Sequence, residues 1–315
     1  MAVMLDMVRT SSGGHPALLD PWRAALDWGE GTVLAVLTAT HGPAYRLAGA
    51  AAAIATDGRF AGAITSGCIE ADLILRAADV RRTGRPCRVR YGDGSPFFDL
   101  RLPCGGAIEL ELFQLRDKEP LAALDLARGE RQSLALHVAR DGALSCQPYR
   151  RTGPTPAGFA IGFQPDIRFL VFGAGPEALV FAGLVRDLGY DHMLVTHDDA
   201  CLDAALAAGC QGQGLARLGD IADLRPDHRT AAVLFYHDHD YEPEILRRLL
   251  RSEAFYIGAQ GSRATQRARL ERLHEFGVSD ADTARIQGPI GILPSARDAR
   301  TLAISALAEI VGQVG

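Results

Sequence analysis

The chain has 315 residues, 48% of them hydrophobic and 23% charged, with a formal net charge of −5. That length is about twice a usual single domain, so two domains are expected. The acidic balance argues against a surface built to neutralise nucleic-acid phosphates, and no apolar run approaches the roughly 18 residues a membrane span requires.

The first residues include Asp6 and lack a basic stretch followed by an apolar one, so a cytoplasmic rather than a secreted protein is expected. The six cysteines, at 68, 87, 104, 146, 201 and 210, are scattered and form no C-x-x-C pair. That pattern fits reduced thiols rather than a disulfide framework or a structural zinc site.

An amphipathic stretch at 16–28 opens the chain. The run TVLAVLTAT (32–40) reads as a buried strand and is punctuated by Gly42-Pro43. The alanine-rich 49–56 and the segment 60–64 read as two further strands around the turn Asp57-Gly58. Ile69, Leu73, Ala77 and Val80 recur at helical spacing and predict a helix over 70–82, stopped by Gly84 and Pro86. Strands follow at 87–91 and 107–113, flanking a loop at 92–106. Beyond them come a short helix near 120–127 and strands at 132–139 and 143–149. The Gly/Pro-rich stretch 152–165 reads as the boundary between domains.

From Ile167 onward strands and helices alternate, with strands at 167–172, 192–196, 231–236 and 254–257, another near Ile286, and a closing helix at 299–311. Such alternation implies a parallel sheet with helices on both faces. The strand RFLVF runs directly into Gly173-Ala174-Gly175-Pro176-Glu177-Ala178 and then a helix. Gly173 and Gly175 supply the tight turn and close backbone approach that a pyrophosphate needs at a helix N-terminus, which is Rossmann geometry. The expected fold class is therefore α/β: an N-terminal small α/β domain with a mixed sheet (1–155), then a Rossmann-like doubly wound parallel-sheet domain (166–315).

A ribose-binding acid belongs at the end of the second strand of such a domain, and Asp198 is the candidate, with His197 competing for the ribose-facing position. NAD(P) binding and a dinucleotide fold with a lost or changed ligand both stand at this point. His237 and His239 follow the third strand at i and i+2. They read either as metal ligands or as a polar turn. Gly261, Ser262 and Arg263 open a helix that also carries Arg267 and Arg269. They read as a phosphate site or as a Ser262 cap with a solvated basic face.

In the first domain Cys68 lies at a predicted helix start, where unpaired amides favour anions, with Glu70 opposing. The segment Cys104-Gly105-Gly106 presents a second thiol in a glycine loop. A soft-metal or sulfur role competes with the ordinary reading of cysteine as a small buried hydrophobe.

Six segments in order resemble the xanthine dehydrogenase accessory protein family of XdhC/CoxI type: GAITSGCIEADL, PCGGAIELEL, FGAGPEALVFAGLVRDLGY, YHDHD, YIGAQGSRATQRARLERL and GPIGILPSARDARTLAISALAEI. Two departures accompany the match. Ser66 stands where that family has the first glycine of its Ser-Gly-Gly-Cys signature, and Leu293 stands where its Gly-Leu-Asp-Ile-Gly-Ala run has an acid.

The resemblance implies a homodimeric chaperone rather than an enzyme. It would bind the molybdenum cofactor as molybdopterin or its dinucleotide form, assist its sulfuration with a cysteine desulfurase, and pass it to a xanthine dehydrogenase-like apoenzyme. Cys68 and Cys104 would then lie near the molybdenum or its sulfur, with a phosphate held by the Gly173/Gly175 turn and by residues 261–263. The rival readings are an NAD(P)-dependent oxidoreductase and a nucleotide-binding interaction module without chemistry. No hydride-transfer constellation is visible for the first of these.

Overall fold

The computed structural model describes residues 20–65, 67–95, 102, 105–215, 224–236, 241–294 and 296–314. The chain divides into two compact units, Met1–Pro165 and Asp166–Gly315.

The first unit contains α1 (Pro21–Trp28), β1 (Val33–His41), β2 (Ala51–Ile54), β3 (Phe60–Gly62), α2 (Glu70–Thr83), β4 (Cys87–Gly92), β5 (Ala107–Gln114), α3 (Glu119–Gly129), β6 (Leu134–Ala139), β7 (Leu144–Pro148), β8 (Gly153–Thr155) and β9 (Gly158–Phe163). The first five strands form a sheet of order β3-β2-β1-β5-β4, and the last four a sheet of order β7-β6-β9-β8.

Central β1 is apolar along its first half because both its faces are covered. Val33, Ala35 and Leu37 pack with Ile69, Leu73, Ala77 and Val80 of the α2 side, while Leu34 and Val36 pack with α1, α3 and the second sheet. Asp20 starts α1 by accepting from the Trp22 amide at 2.9 Å.

Every pairing in both sheets is antiparallel, where a mixed sheet is expected from the sequence. Parallel neighbours need a crossover between adjacent strands. The helical crossover α2 instead joins β3 and β4, which lie at opposite edges of their sheet.

The stretch 152–165, read as the boundary between domains, carries strands of its own. Its strand β9 pairs with β6 from Leu134↔Phe163 to Ala139↔Gly158 and buries Phe159, Ala160 and Ile161. Gly158 and Gly162 answer to close packing: a Cβ would stand 2.0 Å from the Val138 carbonyl oxygen at the first and 2.2 Å from the Arg150 carbonyl oxygen at the second.

The second unit contains β10 (Arg168–Gly173), α4 (Pro176–Asp187), β11 (Asp191–Thr196), α5 (Asp199–Ala207), β12 (Gly212–Gly214), β13 (Thr230–Phe235), α6 (Glu242–Leu249), β14 (Tyr256–Ala259), α7 (Arg263–Glu275), α8 (Asp280–Thr283), β15 (Ile286–Gln287) and α9 (Ala299–Gly312). Its six strands are all parallel in the order β12-β11-β10-β13-β14-β15. Short β12 has no counterpart in the sequence expectation, because Gly-Gln-Gly offers no apolar run.

Helices cover both faces. Phe169, Val171, Val233 and Phe235 meet α4, α5 and α9, while Leu170, Phe172, Ala232 and Leu234 meet α6 and α7. Burial of each such large side chain contributes roughly 1.5–3 kcal/mol. Alternation along strands buried on both sides therefore gives two cores on one sheet.

Candidate functional site

Parallel pairing carries every loop that follows a strand to one edge, so the segments after β10, β11, β13, β14 and β15 gather at the carboxyl edge of the second sheet. The order reverses at β10/β13, where the glycine turn lies. A Cβ on Gly173 would meet Phe235 Cβ at 3.0 Å and Ala178 Cβ at 3.1 Å, so glycine lets α4 close on the sheet. Gly175, at φ 118°, is the N-cap of α4, with Pro176 in the first helical turn and the Glu177 carboxylate 3.8 Å from where a Cβ would stand. No side chain caps the start of α4, and a helix N-terminus favours an anion.

Asp198, the candidate ribose ligand, is the N-cap of α5. Its carboxylate accepts from the Cys201 amide at 2.6 Å and caps α5. His197, directly after β11, lies nearly flat over Tyr241 (ring centroids 4.5 Å apart, 11° between planes) and also over Tyr236 (5.4 Å, 21°). Three rings thus stack on the α6 side of the edge. Sequence reasoning missed this cluster, whose signal was an aromatic residue immediately after β13 and another just before α6.

At the β14 loop, Gly261 and Arg263 are exposed. Ser262 Oγ accepts from the Thr265 amide at 3.0 Å and caps α7. Arg269 departs from the expected basic face. Its guanidinium embraces the Glu242 carboxylate, donates to the Gln260 carbonyl at 2.6 Å and reaches Gln266 Oε1. At about 100° per residue, Arg269 lies some 200° round α7 from Arg267, which turns it inward. His237 and His239 lie outside the described residues. Among the described residues no three His, Cys, Asp or Glu side chains are grouped to hold a metal.

In the first unit Cys68 is half-buried and packs against the α2-side core. The Glu70 carboxylate folds back over the helix start, accepting from Thr65 Oγ1 at 2.9 Å, Thr65 N at 3.3 Å and Ile69 N at 3.0 Å. The Cys68 amide donates to Thr65 Oγ1 at 3.2 Å. The Cys68 and Ile69 amides just ahead of α2 are therefore engaged within the loop.

Cys104 lies outside the described residues. Leu102, two positions earlier, is buried in the same core that Cys68 contacts. Gly105 takes φ 75° with nothing near its missing Cβ, whereas a Cβ on Gly106 would stand 2.1 Å from the Pro43 carbonyl oxygen. Gly106 is required by close backbone approach and Gly105 by turn conformation. The five described cysteines carry no disulfide. No described helix is long and apolar enough to cross a membrane.

A further feature went unread in the sequence. On the face of the first sheet turned toward the second, Arg88 stands opposite Glu111 and Arg90 opposite Glu109 across the β4/β5 pair. Arg88 Nη2 reaches Glu111 Oε2 at 3.3 Å, and Arg90 Nη1 reaches Glu109 Oε1 at 3.2 Å.

A parallel unit with a glycine turn, preceded by an antiparallel unit with a cysteine at a helix start, defines a two-part α/β class of protein with a Rossmann half. Residues 169–310 match the XdhC Rossmann domain, and residues 25–92 match the XdhC and CoxI family. The chain belongs to the XdhC and CoxI family.

It is 37% identical over 288 residues to the molybdenum cofactor insertion chaperone PaoD of Escherichia coli (strain K12), covering 91% of this chain and 84% of that protein. It is 23% identical to a probable xanthine dehydrogenase subunit of Bacillus subtilis (strain 168), over 95% and 97% of the two chains. A crystal structure of a xanthine dehydrogenase from Bacillus halodurans shares the fold, with a TM-score of 0.70, 21% identity, and coverage of 90% of this chain and 91% of that one.

Proposed function

We propose that this protein is a molybdenum cofactor insertion chaperone serving a xanthine dehydrogenase-like molybdoenzyme. The observation that carries the reading is the 37% identity to PaoD along 91% of this chain. The cofactor is cargo. It consists of a pterin with a phosphate, with or without an attached nucleotide, holding molybdenum through sulfur.

The Gly173/Gly175 turn at the start of α4 receives a phosphate group of the cargo. Strands β10 and β14 are two apart in the sheet, about 10 Å. Residues 261–263 therefore reach a second part of an elongated cargo rather than the same phosphate. Cys68 and Cys104 approach the molybdenum or its terminal sulfur, a cysteine desulfurase supplies that sulfur, and the chaperone works in the cytoplasm as a homodimer. A nicotinamide dinucleotide is the rival occupant of the turn, with Asp198 as its ribose ligand.

The test is to purify the full chain from a molybdopterin-producing host, identify the small molecules it releases by mass spectrometry, and add the loaded protein to an apo-molybdoenzyme. Released pterin and a gain of molybdoenzyme activity are expected. A nicotinamide nucleotide with no pterin overturns the reading.

A further inference from the structure

Between the two sheets of the first unit lies a cavity of about 410 Å³, within the roughly 300–1,000 Å³ usual for small-molecule sites. One wall is the charged ladder of β4 and β5, with Arg88, Arg90, Glu109 and Glu111. The opposite wall is apolar and comes from Pro154 and Phe159 of the β8/β9 hairpin.

Glu111 is the unusual member. Its side chain is only 3% exposed, whereas its partner Arg88 is 70% exposed. Oε2 takes the Arg88 hydrogen bond, and Oε1 accepts none from any described residue. Burial pushes the Glu111 carboxyl above the usual glutamate range, and Arg88 only partly offsets it. A largely buried carboxylate with one oxygen left open toward a cavity can take further donors from a bound molecule.

The ligand that completes it is defined by chemistry. Two parallel N–H donors match the two oxygens of a carboxylate. The 2-amino-4-oxopyrimidine edge of a pterin or a guanine presents such a pair, N–H beside NH₂, on a flat ring that an apolar wall accommodates. Arg88, long and exposed beside that carboxylate, suits a phosphate on the same molecule. We propose that the inter-sheet cavity is a recognition site for the 2-amino-4-oxopyrimidine edge of a pterin, with Glu111 as the residue that reads it. The inference rests on the reading that the cargo carries a pterin, and it gives the first unit a specificity-determining residue.

The experiment titrates cofactor-free full chain with pterin and with lumazine, followed by ligand fluorescence. Lumazine carries a carbonyl in place of the 2-amino group. Pterin should bind at least about tenfold more tightly than lumazine, since a carbonyl turned toward a buried carboxylate loses a charge-assisted bond. Glu111→Gln should weaken pterin by a similar factor and abolish the discrimination, with an unfolding midpoint no lower than wild type.

Equal affinities for pterin and lumazine, no pterin binding, or undiminished pterin binding by Glu111→Gln overturns the proposal. Guanosine binding more tightly than pterin overturns the pterin assignment. Cargo content separates this idea from the chaperone reading. Equal pterin on wild type and on Glu111→Gln purified from a cofactor-producing host refutes the cavity and leaves the chaperone standing, whereas no pterin on the wild type refutes the chaperone itself.

Discussion

Replacing Arg269 with methionine tests how the carboxyl edge of the Rossmann unit is held. The guanidinium and the Glu242 carboxylate are 2% and 5% exposed, and the pair joins the first turn of α6 to the middle of α7. The same guanidinium ties down the Gln260 carbonyl just past β14. Arg269→Met keeps most of the apolar stem but leaves a buried carboxylate without its partner, a loss of about 3–5 kcal/mol. In a unit of this size that corresponds to a midpoint lower by roughly 6–20 °C. Adding Glu242→Leu removes the stranded charge and should restore most of the loss, because an apolar pair of similar volume replaces a buried ion pair at little cost. Urea unfolding of the full chain, with the m-value as a control, measures wild type and both variants. A single variant that loses less than about 1 kcal/mol, or a double variant no better than the single one, refutes the argument.

Three further outcomes are expected. Glu70→Ala should destabilise the first unit by about 2 kcal/mol, since the Thr65 and Ile69 amides lose a charged acceptor in a largely buried setting; amide hydrogen exchange at both positions should quicken, and unchanged exchange would contradict the role given to Glu70. Asp198→Ala should cost about 1 kcal/mol through the lost α5 cap while leaving NADH titrations unchanged, and a drop in NADH affinity would reinstate Asp198 as a ribose ligand. The third concerns pH. The raised Glu111 pKa means that the folded state holds this proton more tightly than the unfolded chain, so wild type gives up stability as pH rises from the ordinary 4.5 through the raised value. Glu111→Gln does not titrate, so its stability relative to wild type should climb across that window and level off below it. Parallel stability curves from pH 4 to 7 would show that burial does not raise this carboxyl.

Much of this protein is local, and local features are legible in a sequence. The run RFLVF followed by Gly-Ala-Gly-Pro specifies strand, turn and helix through hydrophobic pattern and backbone freedom, and β10, the Gly175 cap and α4 stand accordingly. Helix α2 follows from the spacing of Ile69, Leu73, Ala77 and Val80, three of which are buried on its own face. The ordered motifs likewise carried the family. Within 152–165 glycine reads as punctuation. The structure uses Gly158 and Gly162 for close strand approach, a demand set by β6 and by residue 150 and invisible within the segment.

What only the tertiary structure decided concerns partners distant in sequence. Alternating Arg88 and Arg90 in one strand and Glu109 and Glu111 in another hint at a ladder, but antiparallel pairing sets which arginine meets which glutamate. Packing of the second sheet then leaves Glu111 buried beside a cavity while Arg88 stays exposed. Arg269 looked like one more surface charge of α7 until Glu242 came to meet it from α6. Asp198 stood near the expected ribose position, and the structure adds that its Oδ1 caps its own helix at 2.6 Å. A sequence fixes which groups are present and their local periodicity. Desolvation and the identity of each group's partner arise only when separate elements pack, and those two terms decide whether a charge serves a ligand or the fold.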